Sequence, residues 1–384
     1  MVVKTPAPNP ILSEEVFPGQ LRMDLQSLEG ALQREILVAH QQAWDLALCT
    51  AFPSRKDEDW RWVDFDRFNP ALWERHSSPD RGMTVAFKQG EQTYSGHDFG
   101  QGGLTNLRVA VENQPELVSS LLGTVVPDRT DKFAAIHSAM ARDGFILDLP
   151  DGYLVDTPIE INLVVKTGSA NAFWHSFVRL GKGAKATVIL DLGSEDETEA
   201  YIGGILEVTL AEGAELTLIS RQDVNPKSWV ISHEKAILAA GARLDWFHAA
   251  LGSKTTKTFL TVDLNGEGAN AQLNGIYFGS DQQQINLDTQ QNHFAPETIS
   301  NLTYRGAANG EAHTTWEGMI TVAPDAMKTD AYQSDRNLIL GGTANMDAIP
   351  GLEICADDVR CSHGASVGRV NDEELFYLQC RGIP

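Results

Sequence analysis

Cysteine is scarce in this chain: four in 384 residues, with Cys49 alone and Cys355, Cys361 and Cys380 crowded near the C-terminal end. Four so placed do not make a disulfide framework, and a reducing, cytoplasmic setting is expected. Long apolar runs are also missing. No window approaches the roughly 20 residues of a membrane span, and the opening M-V-V-K-T-P-A-P-N-P has no apolar stretch of signal-peptide length. Positive charge is in deficit: 30 Lys and Arg stand against 52 Asp and Glu, a formal net charge of −22. The basic footprint that nucleic acid or an anionic membrane would recruit is absent, so neither is expected as a partner. There is no G-x-x-x-x-G-K-[ST] phosphate loop, Rossmann glycine fingerprint, G-x-S-x-G elbow or H-E-x-x-H motif.

What is there is a globular composition, 42% hydrophobic and 21% charged. Residues 1–19 carry prolines at 6, 8, 10 and 18, which predicts a flexible N-terminal arm. From Gln20 the pattern turns helical. Leu21, Leu25, Leu28, Leu32 and Ile36 recur at spacings of three and four, and the stripe runs on to Trp44 and Leu48 before Pro53. The charged, aromatic run S-R-K-D-E-D-W-R-W-V-D-F (Ser54 to Phe65) reads as a connection whose Trp60, Trp62 and Phe65 dock on the helical layer. Two short helices are predicted, one over 115–122 and one over 131–142 capped by Thr130. Residues 20–144 are therefore expected to form a mainly helical N-terminal domain.

After Gly144 the period changes to two, and a repeat emerges. V-R-L-G-K-G-A-K-A-T-V begins at Val178, V-T-L-A-E-G-A-E-L-T-L at Val208, A-I-L-A-A-G-A-R-L-D-W at Ala236, and V-D-L-N-G-E-G-A-N-A-Q-L at Val262. Each is strand, tight Gly-Ala corner, strand, with the corner glycines at 183, 213, 241 and 268. Leu206, Val208 and Leu210 share one face, while Glu207 and Thr209 take the other. One such pair cannot bury its apolar face, but stacked copies can. A mainly β fold is predicted, a parallel β-helix over 145–370, with an all-β sandwich as the alternative. The solenoid leaves an open end near Pro350 to Gly368, an edge suited to pairing with another chain.

That edge carries the candidate site. From Val359 the odd positions read Val359, Cys361, His363, Ala365 and Val367, so one strand would project the Cys361 thiol and the His363 imidazole from the same face. Both are good ligands for iron, zinc or copper(I), yet two ligands fall short of a closed site. Spacing alone equally allows Cys361 as a small buried hydrophobe and His363 as a turn residue. Asp357 and Asp358 read as turn residues, His248 as a core histidine in phase with Leu244 and Trp246, and His293 and His313 as structural. The acidic run Gly193 to Glu199 lacks the spacing of a calcium loop and reads as a hairpin tip. Carboxylate pairing for glycoside cleavage on a β-helix stays open, as a carbohydrate-active enzyme.

Several stretches together resemble a known family. Q-N-H-F-A-P-E-T-I-S-N (from Gln291), W-E-G-M-I-T-V (from Trp316), T-D-A-Y-Q-S-D-R-N-L-I-L (from Thr329), P-G-L-E-I-C-A-D-D-V-R-C-S-H-G-A-S-V-G (from Pro350) and F-Y-L-Q-C-R-G-I (from Phe376) are similar to the SufB/SufD family, scaffold subunits of the Suf iron–sulfur cluster assembly machinery. The C-S-H-G segment and the Ser54 to Phe65 run are most like the SufD type. The resemblance implies a right-handed parallel β-helix between helical domains, with 371–384 the start of a C-terminal helical domain that is largely missing. It implies a non-catalytic scaffold in the SufBCD complex, with SufB paired at the C-terminal end of the β-helix and the SufC ATPase bound through C-terminal helices. His363 is then a metal or cluster site at the SufB interface and Cys361 its neighbour, with iron or an iron–sulfur cluster held transiently and no cofactor bound tightly by the isolated chain. A homodimer of the isolated chain is a further expectation.

Overall fold

The computed structural model describes residues 31–68, 72, 82–89, 92–94, 96–98, 102–128, 130–369 and 371–383. The arm expected over 1–19 and the helical stripe before Ala31 lie outside these residues. The strands are mainly parallel and form a solenoid of about eight turns.

Four short strands come first: β1 (Met83–Gln89), β2 (Gln92–Tyr94), β3 (Gly96–Asp98) and β4 (Gly103–Asn106). The coils begin with β5 (Phe145–Leu149), β6 (Ile159–Val165), β7 (Asn171–Leu180) and β8 (Lys185–Ser194). They continue through β9 (Tyr201–Leu210), β10 (Glu215–Asp223), β11 (Trp229–Leu238), β12 (Arg243–Ala250), β13 (Thr255–Leu264) and β14 (Asn270–Gly279). The last coils hold β15 (Gln284–His293), β16 (Ile299–Ala308), β17 (His313–Val322), β18 (Asp330–Ile339), β19 (Asn345–Ile354) and β20 (Arg360–Arg369). Even-numbered strands from β6 to β20 pair in parallel in one sheet, and odd-numbered strands from β5 to β19 in the other. Their apolar faces meet between the sheets in one continuous core.

The corner glycines do what their spacing suggests. Gly183, Gly213, Gly241 and Gly268 all have φ between 63° and 71°, a left-handed conformation that costs glycine little. Each corner N–H also donates to the next coil, Gly183 to Glu212, Gly213 to Ala240, Gly241 to Glu267 and Gly268 to Pro296. The ladder then continues without glycine. Glu297 (φ 59°) and Lys328 (φ 60°) take the same corner, donating to Met327 and Asp358. The coils therefore run three strand pairs further than the glycine repeat.

The helices are α1 (Ala31–Cys49), α2 (Leu107–Asn113), α3 (Pro115–Leu121) and α4 (Lys132–Met140), with α5 (Asp372–Cys380) at the other end. Ala43, Trp44 and Ala47 of α1 and Phe133 and Ile136 of α4 cover Tyr201, Trp229 and Ile231 on the outer face of the odd-numbered sheet. The region expected to be mainly helical also supplies strands. β1 lies antiparallel on β6 and β4 antiparallel on β5, so both sheets are extended at this end.

Three local expectations change. The N-cap of α4 is Asp131, whose Oδ1 accepts from Ala134 N at 2.8 Å; Thr130 instead donates its hydroxyl to Pro127 O. The Ser54 to Phe65 run docks on helix and solenoid alike. Trp60 packs between Phe133 and Phe259 of β13, and Trp62 Nε1 donates to Glu317 Oε1 of β17 at 3.0 Å. The acidic run Gly193 to Glu199 forms a solenoid corner instead of a hairpin tip, because the strands it joins lie in different sheets. There Glu195 and Asp196 accept from the Thr167 and Gly168 amides of the preceding coil.

Candidate functional site

β19 and β20 are the last strands of their sheets, with no strand beyond them among the described residues. Pro350 within β19 fits that edge, since a proline without an N–H is poorly placed in a central strand. Cys361 and His363 both lie on β20, two residues apart. Their register partners on β18, Ala331 and Gln333, are buried. The pair thus continues the inward-facing columns of the even-numbered sheet, and the same face carries Ala365 above Asp335 and Val367 above Asn337.

The two environments differ. Cys361 is half-buried against a small cluster of Ile320, Val322, Ala326, Ala331 and Ala356. Burial pushes its thiol pKa up, and the charge of Asp330 adds to this against a backbone hydrogen bond from Ala331. His363 is exposed. Cys355 is exposed at the corner between β19 and β20, and Cys380 is exposed on α5. Asp357 and Asp358 are exposed in that corner, where the Asp358 carbonyl accepts from Lys328. Among the described residues no group of three His, Cys, Asp or Glu side chains could hold a metal ion. The chain places one sulfur and one nitrogen donor two residues apart on the same face of β20.

Below this end the solenoid interior is polar. In the column under Ala365 the inward residues run Leu190, Ser220, His248, Gly275, Tyr304 and Asp335. Tyr277 Oη lies 2.8 Å from Asn337 Oδ1 and within 3.2 Å of both Asp335 oxygens. Asn337 Nδ2 also donates to Asp335. Burial raises the Asp335 pKa to about 6, against the lowering effect of the Asn337 and Tyr277 hydrogen bonds and of Arg305. Gln333 bridges the sheets, its amide donating to Gly351 O at 2.9 Å and Gly318 O at 3.3 Å. A Cβ on Gly318 would fall 2.2 Å from the Trp316 ring and 2.6 Å from Gln333 Oε1. His293 is buried between Thr298 and Ser300. His248 is buried with Nδ1 3.4 Å from Tyr304 Oη, and burial lowers its pKa to about 4. His313 meets Asp347 at 2.8 Å. His248 and His293 are buried in the solenoid interior, and His313 is half-buried. Sequence reasoning missed the ring of Gln333, Asp335, Asn337 and Tyr277; the polar residues at alternate positions of Q-S-D-R-N were its signal.

The SUF system FeS cluster assembly, SufBD core domain, matches residues 163–384. The chain belongs to the SufBD family. The match covers the solenoid from within β6 to the end of the chain. An iron-sulfur cluster assembly SufBD family protein of Mycobacterium leprae is 30% identical over 66% of this chain and 66% of its own length. The iron-sulfur cluster assembly protein SufD of Escherichia coli is 32% identical over 55% of this chain and 50% of its own. A SufBD family protein of Mycobacterium tuberculosis is 29% identical over 86% and 80%. The matches thus span about two thirds and one half of the first two relatives. The SufBD motifs read in the sequence are the residues that build the polar interior and the open edge: Gln291, His293 and Ser300, then Trp316 and Gly318, then Gln333, Asp335 and Asn337, then Gly351 and Cys361. No described helix is long and apolar enough to cross a membrane.

Proposed function

We propose that this SufBD family member is a SufD-like scaffold in iron–sulfur cluster assembly, a subunit of a SufBCD complex that works by holding partners instead of by catalysis. It pairs with SufB through the edge made by β19 and β20. There His363, with Cys361 beside it, contributes to a transient site for iron or a nascent cluster completed by ligands of the partner. The SufC ATPase is the third member of that complex. The observation that carries this reading is a thiol and an imidazole on one face of a terminal strand, with no complete ligand set around them among the described residues. Sulfur and imidazole donors suit iron, and an unpaired edge suits a second chain.

The test is reconstitution of the protein with SufB and SufC, followed by iron and sulfide analysis. His363→Ala is expected to leave the three-subunit complex intact and to lower its cluster content at least tenfold, since loss of even an outer-shell partner acts on that scale. Unchanged cluster content would remove His363 from the site. A second reading, a purely structural subunit, is favoured at Cys361 by its packing on Ala331 and its raised pKa. Under that reading Cys361→Ala is silent, whereas proline substitutions along β20 abolish the complex.

A further inference from the structure

Four histidines gather where the N-terminal helices lie on the odd-numbered sheet: His40 on α1, His137 on α4, His175 on β7 and His233 on β11. His137 is fully buried above Gly203 of β9, where a Cβ would come within 2.4 Å of its ring. Its Nε2 lies 2.7 Å from Tyr201 Oη, its Nδ1 has no partner, and its ring centroid is 5.8 Å from that of His233. The two strand histidines are matched with carboxylates. His175 Nε2 meets Glu207 Oε1 at 2.6 Å, and His233 Nε2 meets Asp131 Oδ2 at 2.9 Å. The two helix histidines are not matched. Asp131, the carboxylate that acts on His137, is held by His233 through one oxygen and caps α4 with the other. The charged neighbours of His40 are His175 and Arg142.

We propose that this layer makes the helical cover acid-released: protons taken up by His137 and His40 lift α4 and α1 from β7, β9 and β11. An imidazolium in either place would be buried without a counter-charge. Tyr201 supplies none, since burial holds its hydroxyl protonated. Glu207 is occupied by His175 and by the Val125 and Val126 amides. Lys132 carries positive charge of its own and turns it to the Ala47 and Thr50 carbonyls at the end of α1. Burial, with His175 and Arg142 adding to it, lowers the His40 pKa to about 4. Burial and the neighbouring His233 hold His137 well below its ordinary value. Both are therefore neutral under the cover and titrate near 6.5 once they reach water. Their contribution is complete above that pH and is lost as pH falls below it. Opening uncovers Tyr201, Trp229 and Ile231, an apolar face that the helices otherwise bury.

The test follows amide exchange in the chain alone at pH 7.5 and pH 5.5, with intrinsic exchange rates corrected for pH. Each histidine freed to titrate raises the opening constant about tenfold over that interval. Protection in α1 and α4 is therefore expected to fall about 100-fold, while β8, β10, β12 and β14 of the other sheet keep theirs. His40→Gln and His137→Gln should each cut the fall to about tenfold, and the double variant should abolish it. If His137→Gln does not fold, His40→Gln decides. Equal protection of α1 and α4 at the two pH values overturns the proposal. A fall shared equally by the even-numbered sheet overturns it too, as global unfolding, and so does a fall undiminished in a folded variant, which places the titrating group elsewhere.

Discussion

The two ends of the solenoid are built from the same strand type and treated in opposite ways. At the first, β1, β3 and β4 close the sheets with antiparallel pairs, helices cover the outer face, and the interior is leucine, isoleucine and valine. At the last, no other described residue covers β19 and β20, and the interior beneath them is glutamine, aspartate, asparagine and tyrosine. One column shows the contrast. Leu180, Leu210, Leu238, Leu264, His293, Val322 and Ile354 follow each other in register; Leu210 is fully buried and Ile354 is 40% exposed. The covered end buries the larger share of apolar side chains, and the last coil leaves its own exposed.

That contrast can be broken by measurement. The largest effect is expected at Leu210→Ala, a loss of about 2–5 kcal/mol in urea unfolding. Ile354→Ala, in the same column, should cost under ~1 kcal/mol in the isolated chain. Equal losses would show that the last coil is as tightly closed as the third. Gly318→Ala comes next, at about 1–3 kcal/mol, because the added methyl meets the Trp316 ring and Gln333. Amide exchange should then speed up in β17 to β20 while β7 to β10 keep their protection, and a uniform increase would count against separable ends.

A smaller effect comes from pH. Asp335 holds its proton more tightly folded than unfolded, with a pKa raised from 3.8 to about 6. Its contribution is complete below pH ~4 and is lost as pH rises through about 6. Asp335→Asn removes that loss. The stability of the variant relative to the unaltered chain should therefore rise between pH 4 and 7, by about 2 kcal/mol at most. A flat difference would mean the carboxyl is already ionised. The smallest effect is at Lys182→Ala, which breaks an exposed corner pair with Glu212 and should shift the midpoint by under ~0.5 kcal/mol.

The sequence disclosed the solenoid through its leucines and corner glycines, and only as far as Gly268. Beyond it, Glu297 and Lys328 hold the left-handed corner that glycine holds earlier, and the left-handed glycines Gly310 and Gly342 sit at the opposite corners, out of phase with that repeat. The inward positions turn polar over the same stretch, which erases the apolar alternation of β14 to β18. Residues Ser54 to Phe65 were legible as a docking segment but not as one that reaches Gln284 and Glu317, because a contact across more than 200 residues leaves no local trace. Cys361 and His363 were found by their spacing. The ring beneath them was not, since Gln333, Asp335 and Tyr277 acquire neighbours only when coils stack.

The even pitch of the coils has a consequence for how the molecule is made. Every strand from β7 to β18 pairs with one that follows roughly 30 residues later, so no pairing waits for a distant part of the chain. Such a chain can add one rung at a time as it leaves the ribosome, each rung serving as template for the next. The covered end is finished first. Among the described residues the strand bearing His363 is the last of these rungs to be laid down, so every rung beneath it is already in place when it pairs with β18.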